Sequence, residues 1–239
     1  MLSNDARLGC SAEHVQQVAG EAEGVMLQAE VSASYARMRA AIQADGLDIA
    51  IASGFRDFAR QLAIWQQKCQ GKRPLYDSHG QRVDPSQLSV GEKLECILTW
   101  SALPGLSRHH WGTDFDVYDP TAYRNNPQLR LELTPSEYQG DGPSAKLALW
   151  LQQHAEQFGF FLPYREYQGG VAAEPWHLSH LQRASEELKA FDLTALRARL
   201  AQVEIAHQDY ILNQLEEIKA RYADTICPPR QQGHQEWFG

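Results

Sequence analysis

Two short polar clusters lie about sixty residues apart in this chain, and together they restrict its fold more than any other feature. The first is SRHHWGTDFDVYDP, Ser107 to Pro120; the second is EPWHLSH, Glu174 to His180. In the first, Asp114, Asp116 and Tyr118 alternate with Phe115 and Val117, the period of an extended strand with one polar and one apolar face. His109 precedes this strand by a gap containing Trp111 and Gly112, and a glycine there tolerates the backbone angles of a tight turn. An imidazole and a carboxylate are both good zinc ligands. In the second cluster Glu174 and His177 stand three apart, with Pro175 keeping the backbone extended before Trp176. If the clusters meet, His109, Asp116 and His177 make three protein ligands with one position left open, as catalytic zinc sites require. Glu174 then stands outside the ligand set, placed to take a proton from water. The fold must bring both pieces of chain to one place.

The rest of the 239 residues supplies helices and a few strands. A mostly helical pattern runs from about Ala12 to Ala44, through Val15, Val18, Met26, Tyr35, Met38 and Ile42, and Gly46 stops it. Leu47–Ala52 reads as a strand, Ser53-Gly54 as a turn, and Phe55–Lys68 as a helix. Gly71–Val90 reads as a long surface loop or flap, Glu92–Leu103 as a helix, and Tyr123–Pro143 as a second irregular excursion. Ala145–Phe158 is a clear helix. Gly159–Tyr164 and Trp176–Leu181 look like strands. Leu193–Tyr222 is strongly helical with room for a break, and the tail, 228–239, reads as loose. Short strands between helices and long loops predict an α+β fold, a small antiparallel sheet flanked by helices with a C-terminal helical extension. One domain is expected, with a catalytic core over about 12–183 and the extension over about 184–225.

Composition excludes several classes. A formal net charge of −8 with no basic run argues against nucleic-acid binding by phosphate neutralisation. Cys10, Cys69, Cys96 and Cys227 are widely spaced with no C-x-x-C pair, which predicts reduced, buried thiols. The N-terminal MLSNDARLGC has no apolar run of a signal peptide, and no stretch approaches the roughly 20 apolar residues of a membrane span. A cytoplasmic location is the default expectation, with export by another route left open. Oligomeric state is not written in the sequence.

Taken jointly, Ser107-x-His109-x-x-Gly112-x-x-x-Asp116 followed by Glu174-x-Trp176-His177 resembles the VanY-like zinc D,D- and L,D-carboxypeptidases of bacterial cell-wall metabolism. That family shares its fold with the D-alanyl-D-alanine dipeptidases and the hedgehog signalling domain. A third element, Ser53-Gly54-Phe55-Arg56 with Gln61 five residues on, precedes the other two in the expected order, and the resemblance covers about Ile49 to His180. It implies one zinc ion held by His109, Asp116 and His177, with Glu174 as catalytic base. It implies Arg56 as the cation facing the scissile carbonyl or its oxyanion, where a permanent, forked charge suits the task. Gln61 and Ser107 would help hold the substrate's terminal carboxylate, and Trp176 would shape the pocket.

The sequence departs from that pattern at one place. A small residue usually stands two before the aspartate ligand, and here it is Asp114. That second carboxylate could orient a ligand histidine, add a metal contact, or point into solvent. His110 rivals His109, and the spacing favours His109. His180 reads as structural, His14 as a surface residue, and Tyr164 and Tyr167 as packing aromatics with a possible place in the pocket. The expected activity is removal of a C-terminal D-amino acid from a peptidoglycan-derived peptide. The alternatives are a D-alanyl-D-alanine dipeptidase, an L-Ala-D-Glu type endopeptidase, and a zinc-binding protein of the same fold without catalysis.

Overall fold

The structure is a computed structural model and describes residues 1–230. Ser3 caps a first helical turn, α1 (Asn4–Arg7), its Oγ accepting from the Ala6 N–H at 3.2 Å. The chain then departs from the helix expected from about residue 12. Gly20 and Gly24 adopt φ of 78° and 83°, left-handed angles that no helix interior holds, and between them the backbone reverses. The result is a two-stranded ribbon, β1 (Gln16–Gln17) and β2 (Met26–Leu27), and the helix proper, α2, covers only Ala29–Ala44. Glu21, in the ribbon's turn, accepts from the Tyr35 hydroxyl at 2.6 Å, Arg39 Nη1 at 3.1 Å and the Ile51 N–H at 2.9 Å. Apolar spacing alone could not show that a glutamate would tie this segment inward.

Gly46, at φ 76°, ends α2 as expected, and β3 runs over Ala50–Ser53. Asp57 delays the next helix, α3 (Phe58–Cys69), because its carboxylate accepts from the Arg60 N–H at 2.7 Å and sets the start there. Phe55–Asp57 thereby stays non-helical. The expected 71–90 loop carries a small hairpin, β4 (Leu75–Tyr76) with β5 (Arg82–Val83), and leads to α4 (Val90–Trp100), opened by a Ser89/Glu92 capping box. After β6 (Asp114–Tyr118) come α5 (Pro120–Asn125), α6 (Ala145–His154) with one further 3₁₀ turn, β7 (Phe160–Phe161) and β8 (His177–His180). The C-terminal part is α7 (Leu181–Lys189), α8 (Leu193–Ala201), α9 (Gln208–Asn213) and α10 (Leu215–Lys219). The break anticipated after Leu193 falls before α9, where His207 sits at φ 64°.

The main sheet is antiparallel throughout, in the order β3-β6-β8-β7. Phe115 and Val117 of β6 and Leu178 of β8 point to one side, into a core with Tyr35, Met38 and Ile42 of α2 and Leu147 and Leu151 of α6. A second core joins Phe58 and Trp65 of α3 and Leu94 and Leu98 of α4 to Leu196, Leu200, Ile211 and Leu215 of the last helices. The C-terminal extension is thus packed against α3 and α4. The antiparallel sheet with flanking helices expected of the chain is present. All four cysteines are unpaired, but only Cys227 is buried; Cys10 is exposed, so the expectation of four buried thiols fails. Among the described residues no helix is long and apolar enough to cross a membrane. Residues 231–239 of the expected loose tail lie outside the described residues.

Candidate active site

The polar face of the sheet carries the first two members of the cluster. β6 and β8 pair with Asp116 opposite His177 and Asp114 opposite Ser179, so side chains sixty residues apart in sequence become cross-strand neighbours. The third member, His109, comes from a single 3₁₀ turn, Arg108–Trp111, which Gly112 closes at φ 66°. One ligand atom from each of His109, Asp116 and His177 lies within 4.8 Å of the other two, and all three residues are buried. His109 Nε2 is 3.4 Å from Asp116 Oδ2 and His177 Nδ1 is 3.1 Å from Asp116 Oδ1, with the two rings perpendicular at 5.0 Å.

The far side of each imidazole is held. His109 Nδ1 donates to the Gly54 carbonyl at 2.9 Å, and His177 Nε2 donates to Asp114 Oδ1 at 3.2 Å. Each ring is left with one nitrogen facing Asp116, the arrangement that metal-bound histidines adopt. Burial would depress His177, but the Asp114 and Asp116 carboxylates outweigh it and lift the ring to about 9. Burial likewise opposes ionisation of Asp116, yet His109 and His177 hold it well below the usual carboxylate range. The cluster therefore draws positive charge to the point between its three members. Two imidazole nitrogens, each ring fixed from behind, and one carboxylate fit a zinc-like divalent cation.

Asp114 resolves one question that the sequence left open. It is fully buried, so it does not point into solvent, and it lies behind His177. Its Oδ1 also accepts from Arg108 Nε at 2.7 Å, and its Oδ2 accepts from the Thr113 hydroxyl at 2.6 Å. His110 turns away from the cluster: Nδ1 donates to the Arg56 carbonyl at 2.5 Å and Nε2 accepts from the Gly105 N–H at 3.0 Å. With both nitrogens used internally, His110 braces the Arg56 segment. His14, expected at the surface, is half-buried instead, donating from Nε2 to the His110 carbonyl at 2.9 Å. His180 caps α7 and approaches Ser34 Oγ at 3.4 Å, a structural placement.

Around the cluster lies a groove of about 1040 Å³. Glu174 lines it, with Oε2 3.7 Å from His177 Nδ1, and burial pushes its carboxyl up to about 7. Arg56 lines it from the other side. Its Nη1 donates to Gln61 Oε1 and its Nη2 to Ser53 Oγ, both at 2.9 Å, and Nη2 is 3.9 Å from Asp116 Oδ2. Gln61 is buried behind Arg56, with Nε2 donating to the Ala102 carbonyl at 2.7 Å, so both ends of its amide are occupied by protein. Ser107 and Trp176 line the groove, the latter against Tyr138, and Tyr164 and Tyr167 line it as well.

Lys68 and Arg73 are among the groove cations that escaped the sequence reading. Lys68 follows Gln61 by two helical turns and so shares its face of α3; Arg73 stands just beyond the helix. Burial lowers the Lys68 ammonium to about 8, with Glu174 pulling it up and Arg73 and Arg56 pushing it down. The spacing of seven along a helix was the available signal for Lys68. Nothing in the local sequence marked Arg73.

The chain matches the family model for VanY, D-alanyl-D-alanine carboxypeptidase, over residues 24–183. It is 32% identical over 126 residues to an uncharacterised protein of Haemophilus influenzae, covering 52% of this chain and 95% of that protein. Among solved structures, VanYB in complex with D-alanine-D-alanine superposes with a TM-score of 0.50 at 20% identity, over 81% of this chain and 91% of that one. The LdcB LD-carboxypeptidase gives 0.52 at 20% identity, over 76% of this chain and 75% of that one. These two likenesses show a shared fold, and the family match spans more than half of the chain. The chain belongs to the VanY, or D-alanyl-D-alanine carboxypeptidase, family of peptidases acting on peptidoglycan-type peptides.

Proposed function

We propose that this chain is a zinc metallopeptidase that removes the C-terminal D-amino acid of peptidoglycan-type peptides, a D-alanyl-D-alanine carboxypeptidase. The observation that carries this reading is a carboxylate outside the ligand set: Glu174 Oε2 faces the cluster 3.7 Å from His177 Nδ1, at the wall of an open groove. A protein that merely stored a metal would gain nothing from that carboxylate or from the guanidinium opposite. His109, Asp116 and His177 would hold a single zinc ion. When bound, zinc supplies Lewis acidity, which polarises a carbonyl and makes water acidic near neutral pH.

The remaining chemistry belongs to the chain. Glu174 takes a proton from the attacking water at a carboxylate oxygen and later delivers it to the leaving amine. Its raised affinity for a proton suits both halves of that task. Arg56, already oriented by Gln61 and Ser53, stabilises the oxyanion that develops on the scissile carbonyl. Ser107 and Trp176 bind substrate from the groove wall, and Gln61 serves it through Arg56. Lys68 and Arg73 give this part of the groove a positive rim suited to a peptide carboxylate.

Purified protein should contain zinc near one equivalent, and incubation with muropeptides should release a single D-alanine by mass spectrometry. Release of the dipeptide D-Ala-D-Ala, or an internal cut, would replace the carboxypeptidase by the corresponding dipeptidase or endopeptidase. No metal and no cleavage would end the metallopeptidase reading.

A further inference from the structure

A second acidic and basic pair is buried directly behind the candidate metal centre. Arg108 and Asp114 are 3% and 0% exposed, and their contact at 2.7 Å is the most deeply enclosed ion pair among the described residues. Taking both charges out of water costs several kcal/mol per ion before their attraction offsets it, and such pairs are often replaceable by apolar residues without loss of stability. Stability alone is therefore a poor reason for burying this pair of charges.

The hydrogen bonds indicate another. Asp114 Oδ1 is shared between Arg108 Nε at 2.7 Å and His177 Nε2 at 3.2 Å. Arg108 is itself held, with Nη2 donating to Ser179 Oγ at 2.7 Å and its guanidinium 5.0 Å over the Trp111 ring. Ser179 is the cross-strand partner of Asp114 in the β6–β8 pairing, so one backbone register brings Asp114, Ser179 and His177 together. His177 is thus gripped from behind by a carboxylate that cannot rotate, because Thr113 takes its second oxygen.

We propose that Asp114 and Arg108 are positioning residues for the metal centre. Asp114 accepts the Nε2–H of His177 and presents its Nδ1 to the metal position, and Arg108 locks Asp114 in place. The inference rests on the metallopeptidase reading and concerns the geometry and basicity of one ligand. Carboxylates behind metal-bound histidines typically change metal affinity by about 10- to 100-fold.

The test measures zinc affinity of the full chain by competition with a chromophoric chelator, with circular dichroism confirming that each variant is folded. We expect Asp114→Asn, which keeps the shape and an acceptor oxygen but loses the charge, to weaken zinc binding several-fold. Asp114→Ala leaves Arg108 buried without its partner and risks misfolding, so it is paired with Arg108→Met. The double variant should fold and still bind zinc about 10- to 100-fold more weakly. A folded double variant with zinc affinity within twofold of the parent would overturn the inference and leave the metallopeptidase reading standing. Failure of the parent chain to bind zinc is a different result, which removes that reading and this inference with it.

Discussion

At the scale of single residues, Glu174 has the most to settle. Replacing it by glutamine keeps its volume and hydrogen-bonding reach but removes the base. We expect Glu174→Gln to bind zinc like the parent and to lose about 10²- to 10⁴-fold in kcat, measured by D-alanine release. The same change has a second consequence in metal-free protein. Folding raises the Glu174 carboxyl from its ordinary range to about 7, so the native state favours the protonated acid. Ionisation then works against folding, a penalty absent below the unfolded value and complete once the pH exceeds about 7. Metal-free Glu174→Gln should therefore melt higher than metal-free parent at pH 8 and not at pH 4, on the order of 3 kcal/mol at the higher pH. Equal melting at both would show that the carboxyl is not desolvated. Arg56 gives a separate check. Its two amino groups are already engaged by Gln61 and Ser53, a fork that lysine cannot reproduce. Arg56→Lys should cost about 10²- to 10³-fold in kcat with zinc content unchanged.

At the scale of elements, the site depends on one turn and one register. The Arg108–Trp111 turn delivers His109 only because Gly112 takes a left-handed conformation. A Cβ there would also lie 2.4 Å from Val15 Cγ1 of the N-terminal segment. Gly112→Ala should destabilise by about 1–3 kcal/mol and lower Tm by roughly 2–4 °C for each of those kcal/mol. It should also weaken zinc binding, because His109 moves with the turn. The strand read over Phe115–Tyr118, which starts one residue earlier at Asp114, and the turn at Gly112 were legible, since alternation of polar and apolar side chains needs no partner to be read. The 12–28 segment was not. Val15, Val18 and Met26 fit helical spacing, and what overrode it was a pair of left-handed glycines with a glutamate, Glu21, anchored by α2 and β3. Capping was similarly underweighted: Asp57 starts α3 three residues later than apolar periodicity suggests, and that delay leaves Arg56 free to face the groove.

At the scale of the whole molecule, the groove-lining helix α3 is clamped between the groove and the C-terminal helices. Phe58 and Trp65 pack with Leu196, Leu200 and Leu215 in one core. The fully buried Leu200 reports on that clamp, and Leu200→Ala should cost about 2–5 kcal/mol, read from denaturant unfolding. A chain ended before Leu193 would expose Leu94, Ile97 and Leu98 on α4 and should be insoluble or lack a cooperative transition. If the shortened chain instead folds and binds zinc, the extension is a separate unit and the expectation of one domain fails.

Residue chemistry and local spacing determined much of this protein on their own. They pointed to His109, Asp116, His177 and Glu174 as one constellation and to a small antiparallel sheet with helices as its frame, while Arg56 as its cation came only from the resemblance to the VanY-like carboxypeptidases. Those features are local patterns, repeated along a few residues, so the linear chain displays them. Tertiary structure alone decided where Asp114 points, that Gln61 sits behind Arg56, that His110 faces inward to brace a loop, and that Lys68 and Arg73 reach the same groove. Each of these is the choice of a polar group among several partners far away in sequence. Burial forces such a group to find a partner, and only the packed chain says which one is within reach.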